Sequence, residues 1–327
     1  MRLARVRDIR TPTPWLDLRP PPPVPRIVVP LQDETRFSYL ARVAAANHVP
    51  DRAVWSRLAV RPPDTDQDPL VASRWIAALC GIDQQRLLSA VSELQVGSAG
   101  PAGPLPVTAR PLPRHARQAP PCRFCAARRG ATPDRDVDPD WALEAEVWLS
   151  VEDNVCRRHH IWIGPGATSY AQQLDLTRLP DVVQAQTRHY RLVRRRGRRE
   201  VFLAYTDAAR IWWKLAWLHD YTTERDRRIH RHLGADIDPE DLDFDDPLRH
   251  AAIYPETVAL TALLASPYWR RKIVDRRPQA RPARQAFHAE FTRRVTQHHQ
   301  QHDRVERLIQ EHLADPQRRY RATDRQP

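Results

Sequence analysis

Apolar residues recur every three to four positions through most of the chain, a spacing that predicts helices. In PLQDETRFSYLARVAAANHVP, one helical face carries Phe37, Leu40, Val43 and Ala44. Pro50 ends this pattern, because proline has no backbone N–H with which to continue a helix. A short helix from about Arg52 to Leu58 is expected next.

A glycine interrupts the following helical pattern. In DPLVASRWIAALCGIDQQRLLSAVSEL, two apolar stretches are separated by Gly81, and Asp83 is suited to cap the second helix. Two short helices with glycine at the corner predict a helix-turn-helix, or else a plain helical hairpin that binds nothing. In a helix-turn-helix, the outward side chains of the second helix would meet base edges or phosphates. Those side chains are Gln84, Gln85, Arg86 and Ser89.

The second half of the chain is also expected to be helical. A pair of helices broken at Gly197 is predicted between Leu179 and Leu233. The core-facing stripe of the second of these helices is Ala204, Ala208, Ile211, Leu215 and Leu218. Further helices are predicted in PETVALTALLASPYWRRKI and in ARQAFHAEFTRRVTQHHQQHDRVERLIQEHLADPQRR. The fold class is therefore expected to be mainly α.

Cysteine and histidine spacing predicts a metal site. Cys122 and Cys125 form a C-x-x-C pair, and Cys156 lies 31 residues after Cys125, followed by His159 and His160. Three thiolates and an imidazole in C-x2-C-x30-C-x2-H order are a ligand set for tetrahedral zinc. His159 is the expected fourth ligand, because its two-residue spacing from Cys156 is that of a zinc knuckle, and His160 remains an alternative. A chance pair plus an unrelated cysteine is the competing interpretation. Four protein ligands leave no position for water, so the zinc would be structural.

Composition divides the chain into five predicted segments. The proline-rich residues 1–28 are expected to form a disordered tail, since they can bury too little apolar surface to fold. Residues 29–96 would form an N-terminal helical domain with the helix-turn-helix, and residues 97–120 a linker. Residues 121–166 are the expected small zinc finger, and residues 167–327 the C-terminal helical domain.

The charge balance favours an anionic partner. The 327 residues include 52 lysines and arginines and 40 acidic residues, a net charge of +12, and the only lysines are Lys214 and Lys272. Guanidinium groups bind phosphate through paired hydrogen bonds, so nucleic acid is the expected partner, although a GC-rich coding sequence would also enrich arginine. One cluster is either a phosphate-binding surface or a solvated helix end: Arg188, Arg191, Arg194, Arg195, Arg196, Arg198 and Arg199.

Several classes of protein are disfavoured. No stretch approaches the roughly 18 apolar residues of a membrane span, and the N-terminal residues lack the apolar segment of a secretory signal, so a cytoplasmic protein is expected. Reduced thiols there favour metal binding over a disulfide. The chain contains no G-x-x-x-x-G-K-[ST], G-x-S-x-G or H-E-x-x-H motif. The acidic stretch DIDPEDLDFDD is either a solvated loop or a Mg²⁺ site, and an enzyme is the least favoured function.

Two stretches resemble the TniQ family. The first resembles its N-terminal signature through Pro30, Glu34, Ser38, Tyr39, Leu40, Arg42 and Asn47. The C-x-x-C pair, Trp148 and the C-x-x-H pair are similar to the zinc finger that follows in that family, and GIDQQRLLSA lies where the family has a helix-turn-helix. The chain departs from the pattern at Arg123, Arg157 and His160, where the family commonly has proline, proline and glycine. The likeness covers residues 30 to about 165 with motifs and extends more loosely to the helix pair after Leu179.

The resemblance implies a target-selection protein of transposons that pair a transposase with an AAA+ ATPase. Such a protein binds double-stranded target DNA, or an RNA-guided complex on that DNA, and recruits the ATPase or transposase. The function expected for this chain is therefore a non-enzymatic DNA-binding adaptor with a structural zinc ion. A protein–protein scaffold of the same fold without direct DNA contact is the alternative, and a homodimer is left open.

Overall fold

The computed structural model describes residues 21–58, 69–95, 116–130, 144–216, 224–234, 236–274 and 281–295. Within these ranges the chain is mainly helical, which confirms the predicted class. The helices are α1 (Arg36–Ala46), α2 (Asp51–Arg57), α3 (Pro69–Cys80), α4 (Gln84–Ala90), α5 (Arg123–Ala127), α6 (Pro180–Arg196), α7 (Arg198–Ala216), α8 (Glu224–Leu233), α9 (Pro247–Leu264), α10 (Pro267–Val274) and α11 (Arg281–Val295), with a 3₁₀ turn at Ser92–Gln95.

Four short strands accompany the helices of the described residues. They are β1 (Ala116–Ala119), β2 (Val147–Ser150), β3 (Val155–Cys156) and β4 (Ile161–Trp162), paired as β1 with β2 and β3 with β4. No helix in the described ranges is both long and apolar enough to cross a membrane.

The chain folds into two compact units. Of the described residues, 21–58, 69–95 and 144–147 lie in the first unit, and the remainder lie in the second. Both cysteine-bearing segments therefore belong to the same unit as α6–α11. The five predicted segments stay a prediction, and residues 97–115 of the predicted linker lie outside the described residues.

The first unit begins earlier than predicted. Residues 1–20 of the expected tail lie outside the described residues, but Val24 is buried and its N–H donates to the Leu79 carbonyl at 2.8 Å. Asn47 accepts the N–H of Arg26 at 2.8 Å and donates to the Arg26 carbonyl at 3.0 Å. The prediction of a tail up to residue 28 is wrong at this end, because α1 and α3 supply backbone and amide partners for this segment.

In the first unit, α1 turns a different aromatic side chain inward from the one predicted. Phe37 is 54% exposed and stacks on Trp55, whereas Tyr39 is fully buried and its hydroxyl donates to the Val28 carbonyl at 3.0 Å. The predicted face was wrong at Phe37, because the segment before α1 covers the side on which Tyr39 lies. Leu40, Val43 and Ala44 are in the core as expected.

The glycine corner between α3 and α4 is present. Gly81 has φ +63°, a left-handed conformation that glycine adopts without strain. The carboxylate of Asp83 accepts the N–H of Arg86 at 2.9 Å, which confirms the predicted cap. Leu87 lies in the core, and α4 is only seven residues long.

Helix α9 lies at the centre of the second unit, where it packs against α6, α7, α8, α10 and α11. Gly197, with φ +87°, separates α6 from α7 as predicted. Ala204, Ala208 and Ile211 are buried as expected. The side chains of Leu215 and Leu218 lie outside the described part of the chain.

Candidate metal centre and arginine surface

Three cysteines and one histidine converge on a single point. The ligand atoms of Cys122, Cys125, Cys156 and His159 all lie within 4.8 Å of one another. The Nδ1 atom of His159 lies 3.4, 3.3 and 3.6 Å from the three sulfur atoms, and the Sγ atoms of Cys125 and Cys156 are 3.7 Å apart. A tetrahedral ion with metal–sulfur bonds of about 2.3 Å has S···S edges of about 3.8 Å. The group therefore fits a metal ion.

The first pair of ligands is held at the start of a short helix. Cys122 precedes α5, and its carbonyl accepts the N–H of Ala126 at 2.9 Å. Gln173 is buried and fastens this turn, since its Oε1 accepts the N–H of Arg123 at 2.9 Å and its Nε2 donates to the Pro121 carbonyl at 2.8 Å. Arg123 therefore contributes a backbone donor, which a proline at this position would lack.

The second pair of ligands lies in a hairpin. Strands β3 and β4 pair Cys156 with Ile161, and the N–H of His159 donates to the Cys156 carbonyl at 3.2 Å. His160 has φ +53° and is exposed, and it does not belong to the metal-binding group. The structure thus selects His159 between the two histidines that the spacing left open.

The three thiols have different acidities. A hydrogen bond from the Cys122 thiol lowers the pKa of Cys156 to about 5, with further help from the backbone N–H groups of His159 and Arg158. The same hydrogen bond raises the pKa of Cys122, and burial raises the pKa of Cys125. Because a metal ion binds thiolates, its entry would release protons from Cys122 and Cys125.

The hairpin is attached to α6 by buried polar contacts. The Oε1 atom of Gln186 accepts the backbone N–H groups of Asn154 and Val155 at 3.1 and 3.0 Å. The hydroxyl of Tyr190 donates to the Asp153 carboxylate at 2.6 Å. The position of α6 is therefore coupled to the segment that leads into β3.

All seven predicted arginines of α6 and the start of α7 are exposed. Arg198 pairs with the buried Glu152 at 2.6 Å. The other six side chains have no hydrogen-bond or ion-pair partner within the ranges that the structure describes: Arg188, Arg191, Arg194, Arg195, Arg196 and Arg199. A surface of unpaired guanidinium groups is suited to phosphate.

The predicted residues of α4 differ in availability. Gln84 is half-buried and its Nε2 donates to the Ser73 hydroxyl at 2.8 Å, whereas Gln85, Arg86 and Ser89 are exposed. The Ser89 hydroxyl donates to the Arg86 carbonyl at 2.8 Å. These residues belong to the first unit and the arginine surface to the second.

Sequence reasoning missed two arginines on α11. Arg293 and Arg294 line a cavity together with Arg188, Arg191 and Arg195 of α6. No sequence pattern indicates that α6 and α11, about one hundred residues apart, lie side by side. The only local feature of the two arginines is that they follow Glu290 by three and four residues, a spacing that predicts ion pairs.

Comparison of the chain with protein-family models, with curated proteins and with solved structures found no match.

Proposed function

We propose that this chain is a non-enzymatic, DNA-binding adaptor of the TniQ type, which selects target sites in DNA transposition and recruits an AAA+ ATPase or a transposase. The observation that carries the proposal is the convergence of Cys122, Cys125, Cys156 and His159 on one point. Their order and spacing resemble the finger that follows the N-terminal signature in that family.

The metal in the proposal is zinc. Three thiolates and one imidazole are a ligand set that Zn²⁺ favours over Mg²⁺ or Ca²⁺. A site closed by four protein ligands organises the fold and has no position for a reacting water. Arg123, Gln173 and Gln186 would orient the ligand-bearing turns through their backbone and side-chain hydrogen bonds.

The residues of the N-terminal signature support the proposal by packing together. Glu34 is fully buried, and its carboxylate accepts two hydrogen bonds of 2.7 Å from Arg42 and one of 3.0 Å from Ser38. It also accepts the N–H of Leu31 at 2.7 Å. Glu34, Ser38 and Arg42 of the signature therefore form one buried hydrogen-bonded group at the start of α1.

DNA binding is supported by charge and exposure. The chain has a net charge of +12, and six exposed arginines on α6 and the start of α7 have no acidic partner among the described residues. In the first unit, Gln85 and Arg86 are exposed on the helix that follows the glycine corner. Arginines would hold phosphates, and these two side chains would reach bases.

Duplex binding across a salt series tests this function. We expect fluorescence anisotropy of a labelled duplex to give a logarithm of the binding constant that falls linearly with the logarithm of salt concentration, with a slope of about −4.5 to −5.4 for five or six phosphate contacts. Absence of duplex binding at low salt would contradict the proposal. Genes for a transposase and an AAA+ ATPase beside the coding sequence would support the pathway.

A protein–protein scaffold without DNA contact is the second candidate. It is favoured by the seven-residue length of α4 and by the bond from Gln84 to Ser73, because a base-reading helix needs uncommitted polar side chains. The exposed rings of Phe37 and Phe124 would then serve as contacts for a protein. Retained binding of the purified ATPase without any duplex binding would favour this candidate over the first.

A further inference from the structure

A groove of about 450 Å³ lies between α6, α9 and α11. Its apolar lining consists of Leu192 from α6 and of Val258, Ala259 and Ala262 from α9. Its charged lining consists of Arg188, Arg191, Arg195, Arg293 and Arg294. Five guanidinium groups from two helices therefore surround one concave surface.

The three arginines of α6 form a row along one helical face. Arg188, Arg191 and Arg195 are spaced at i, i+3 and i+7, so their Cα atoms span about 10 Å along the helix axis. Like charges at these spacings destabilise a helix slightly, and none of the three has an acidic partner among the described residues. A bound anion would remove this repulsion.

Across the groove, the two arginines of α11 are partly neutralised. Glu290 accepts a hydrogen bond of 2.7 Å from Arg293 and also pairs with Arg294. Hydrogen bonds from Arg293 hold the pKa of Glu290 at about 2, so its carboxylate is charged at neutral pH. The five arginines and this one carboxylate leave four positive charges around the groove.

We propose that this groove binds the sugar–phosphate backbone of target DNA, with the row on α6 holding successive phosphates. This inference rests on the proposed DNA-binding function and names where the duplex is held. Phosphates of one strand advance about 3.4 Å per nucleotide along the duplex axis, so arginines spread over about 10 Å can each reach a different phosphate. A single small anion would need the guanidinium groups to converge, whereas these are spread along a helix.

Two sets of arginine variants in the full chain test the groove. Arg188→Ala/Arg191→Ala/Arg195→Ala removes the row, and Arg194→Ala/Arg196→Ala/Arg199→Ala removes three exposed charges nearby that do not line the groove. We expect the first set to weaken duplex binding at least about tenfold and to make the salt slope shallower by roughly 2.7. The second set should weaken binding several times less. Circular dichroism and thermal unfolding check that both sets fold, and Arg191→Gln alone serves as a milder variant.

A gain of affinity provides a test that misfolding cannot mimic. Glu290→Gln removes the carboxylate that neutralises Arg293 and Arg294, so we expect duplex binding to tighten a few-fold at low salt. Unchanged or weaker binding by this variant would count against the groove.

The possible outcomes distinguish an error in the assignment of the groove from an error in the proposed DNA-binding function. Equal losses in the two arginine sets would overturn the groove and leave DNA binding in place. No duplex binding by the unaltered chain would overturn the proposed function. Tighter binding of single-stranded RNA than of duplex DNA, lost with the row on α6, would overturn the assignment to DNA.

Discussion

The side chain of Gln186 accepts the backbone N–H of Val155 at 3.0 Å, one residue before the candidate metal ligand Cys156. Gln186 is fully buried on α6, the helix whose opposite side exposes the arginines. The side chains of Gln186 and Tyr190 thus connect the segment that leads to the candidate metal ligand Cys156 with the helix that exposes the arginines.

Removing this amide should destabilise the second unit. Gln186→Ala leaves the N–H groups of Asn154 and Val155 without their acceptor, at an expected loss of about 2–4 kcal/mol in the free energy of unfolding. Gln184→Ala, at an exposed position of the same helix, should change the stability by less than about 0.5 kcal/mol. Urea unfolding measures both variants, and equal stabilities would refute the coupling.

The buried ion pair of the first unit should depend on both partners. Glu34→Ala leaves the guanidinium of Arg42 buried without its counter-charge, which should lower the free energy of unfolding by about 3–5 kcal/mol. The double variant Glu34→Leu/Arg42→Met replaces both charges by apolar groups and should lose less than the single variant. Chemical denaturation compares the two, and a larger loss in the double variant would contradict this account.

Glycine is required at position 166 by a close approach of the backbone. A Cβ atom there would lie 2.5 Å from the Asp245 carbonyl oxygen and 2.7 Å from the Pro247 nitrogen, in addition to the strain of φ +83°. Gly197→Ala is the matched control, since Gly197 has φ +87° but nothing within 4 Å of its Cβ position. We expect Gly166→Ala to lower the melting temperature by clearly more than Gly197→Ala does. Equal shifts would mean that only the backbone angle matters.

Stability should fall on mild acidification because of His189. Burial lowers the pKa of this side chain to about 4, below its unfolded value, so the unfolded state takes up the proton first as the pH falls. Stability is therefore lost between about pH 6.5 and pH 4, by about 2 kcal/mol at pH 5. The free energy of unfolding is measured at pH 7.5 and at pH 5 for both chains. The His189→Gln variant should lose about 2 kcal/mol less between these two pH values than the unaltered chain does. The same pH dependence in both chains would rule out the assignment.

The candidate metal ligands could be predicted from sequence because their spacing along the chain is typical of a metal site. The four residues form two short motifs, C-x-x-C and C-x-x-H, and together they supply the three thiolates and one imidazole of a zinc site: Cys122, Cys125, Cys156 and His159. The cap at Asp83 was predictable for the same reason. What could be predicted were features whose residues are neighbours along the chain.

Features formed between distant segments could not be predicted. Gln173 and Gln186 look like surface residues in the sequence, and only their backbone partners 31 to 52 residues away explain their burial. The inward side of α1 depends on the segment that packs beside Tyr39, which periodicity alone does not identify. Arg293 joined the arginine groove only through the packing of α11 on α9.

Loss of two thiols should remove the metal and weaken the second unit. Cys122→Ser/Cys125→Ser is expected to abolish stoichiometric zinc binding and to lower the melting temperature, because metal binding contributes to folding. Cys80→Ala provides the control, since Cys80 is buried in the first unit and belongs to no metal-binding group of the described residues. That variant should retain its zinc. Zinc loss from both variants would show that the metal depends on the general fold.

Zinc analysis combined with X-ray absorption at the zinc edge would show directly whether the four side chains bind one metal ion. We expect about one zinc ion per purified chain, bound by three sulfur atoms and one nitrogen atom. A folded chain that binds no zinc when the ion is supplied, or zinc held by a different set of atoms, would contradict this expectation.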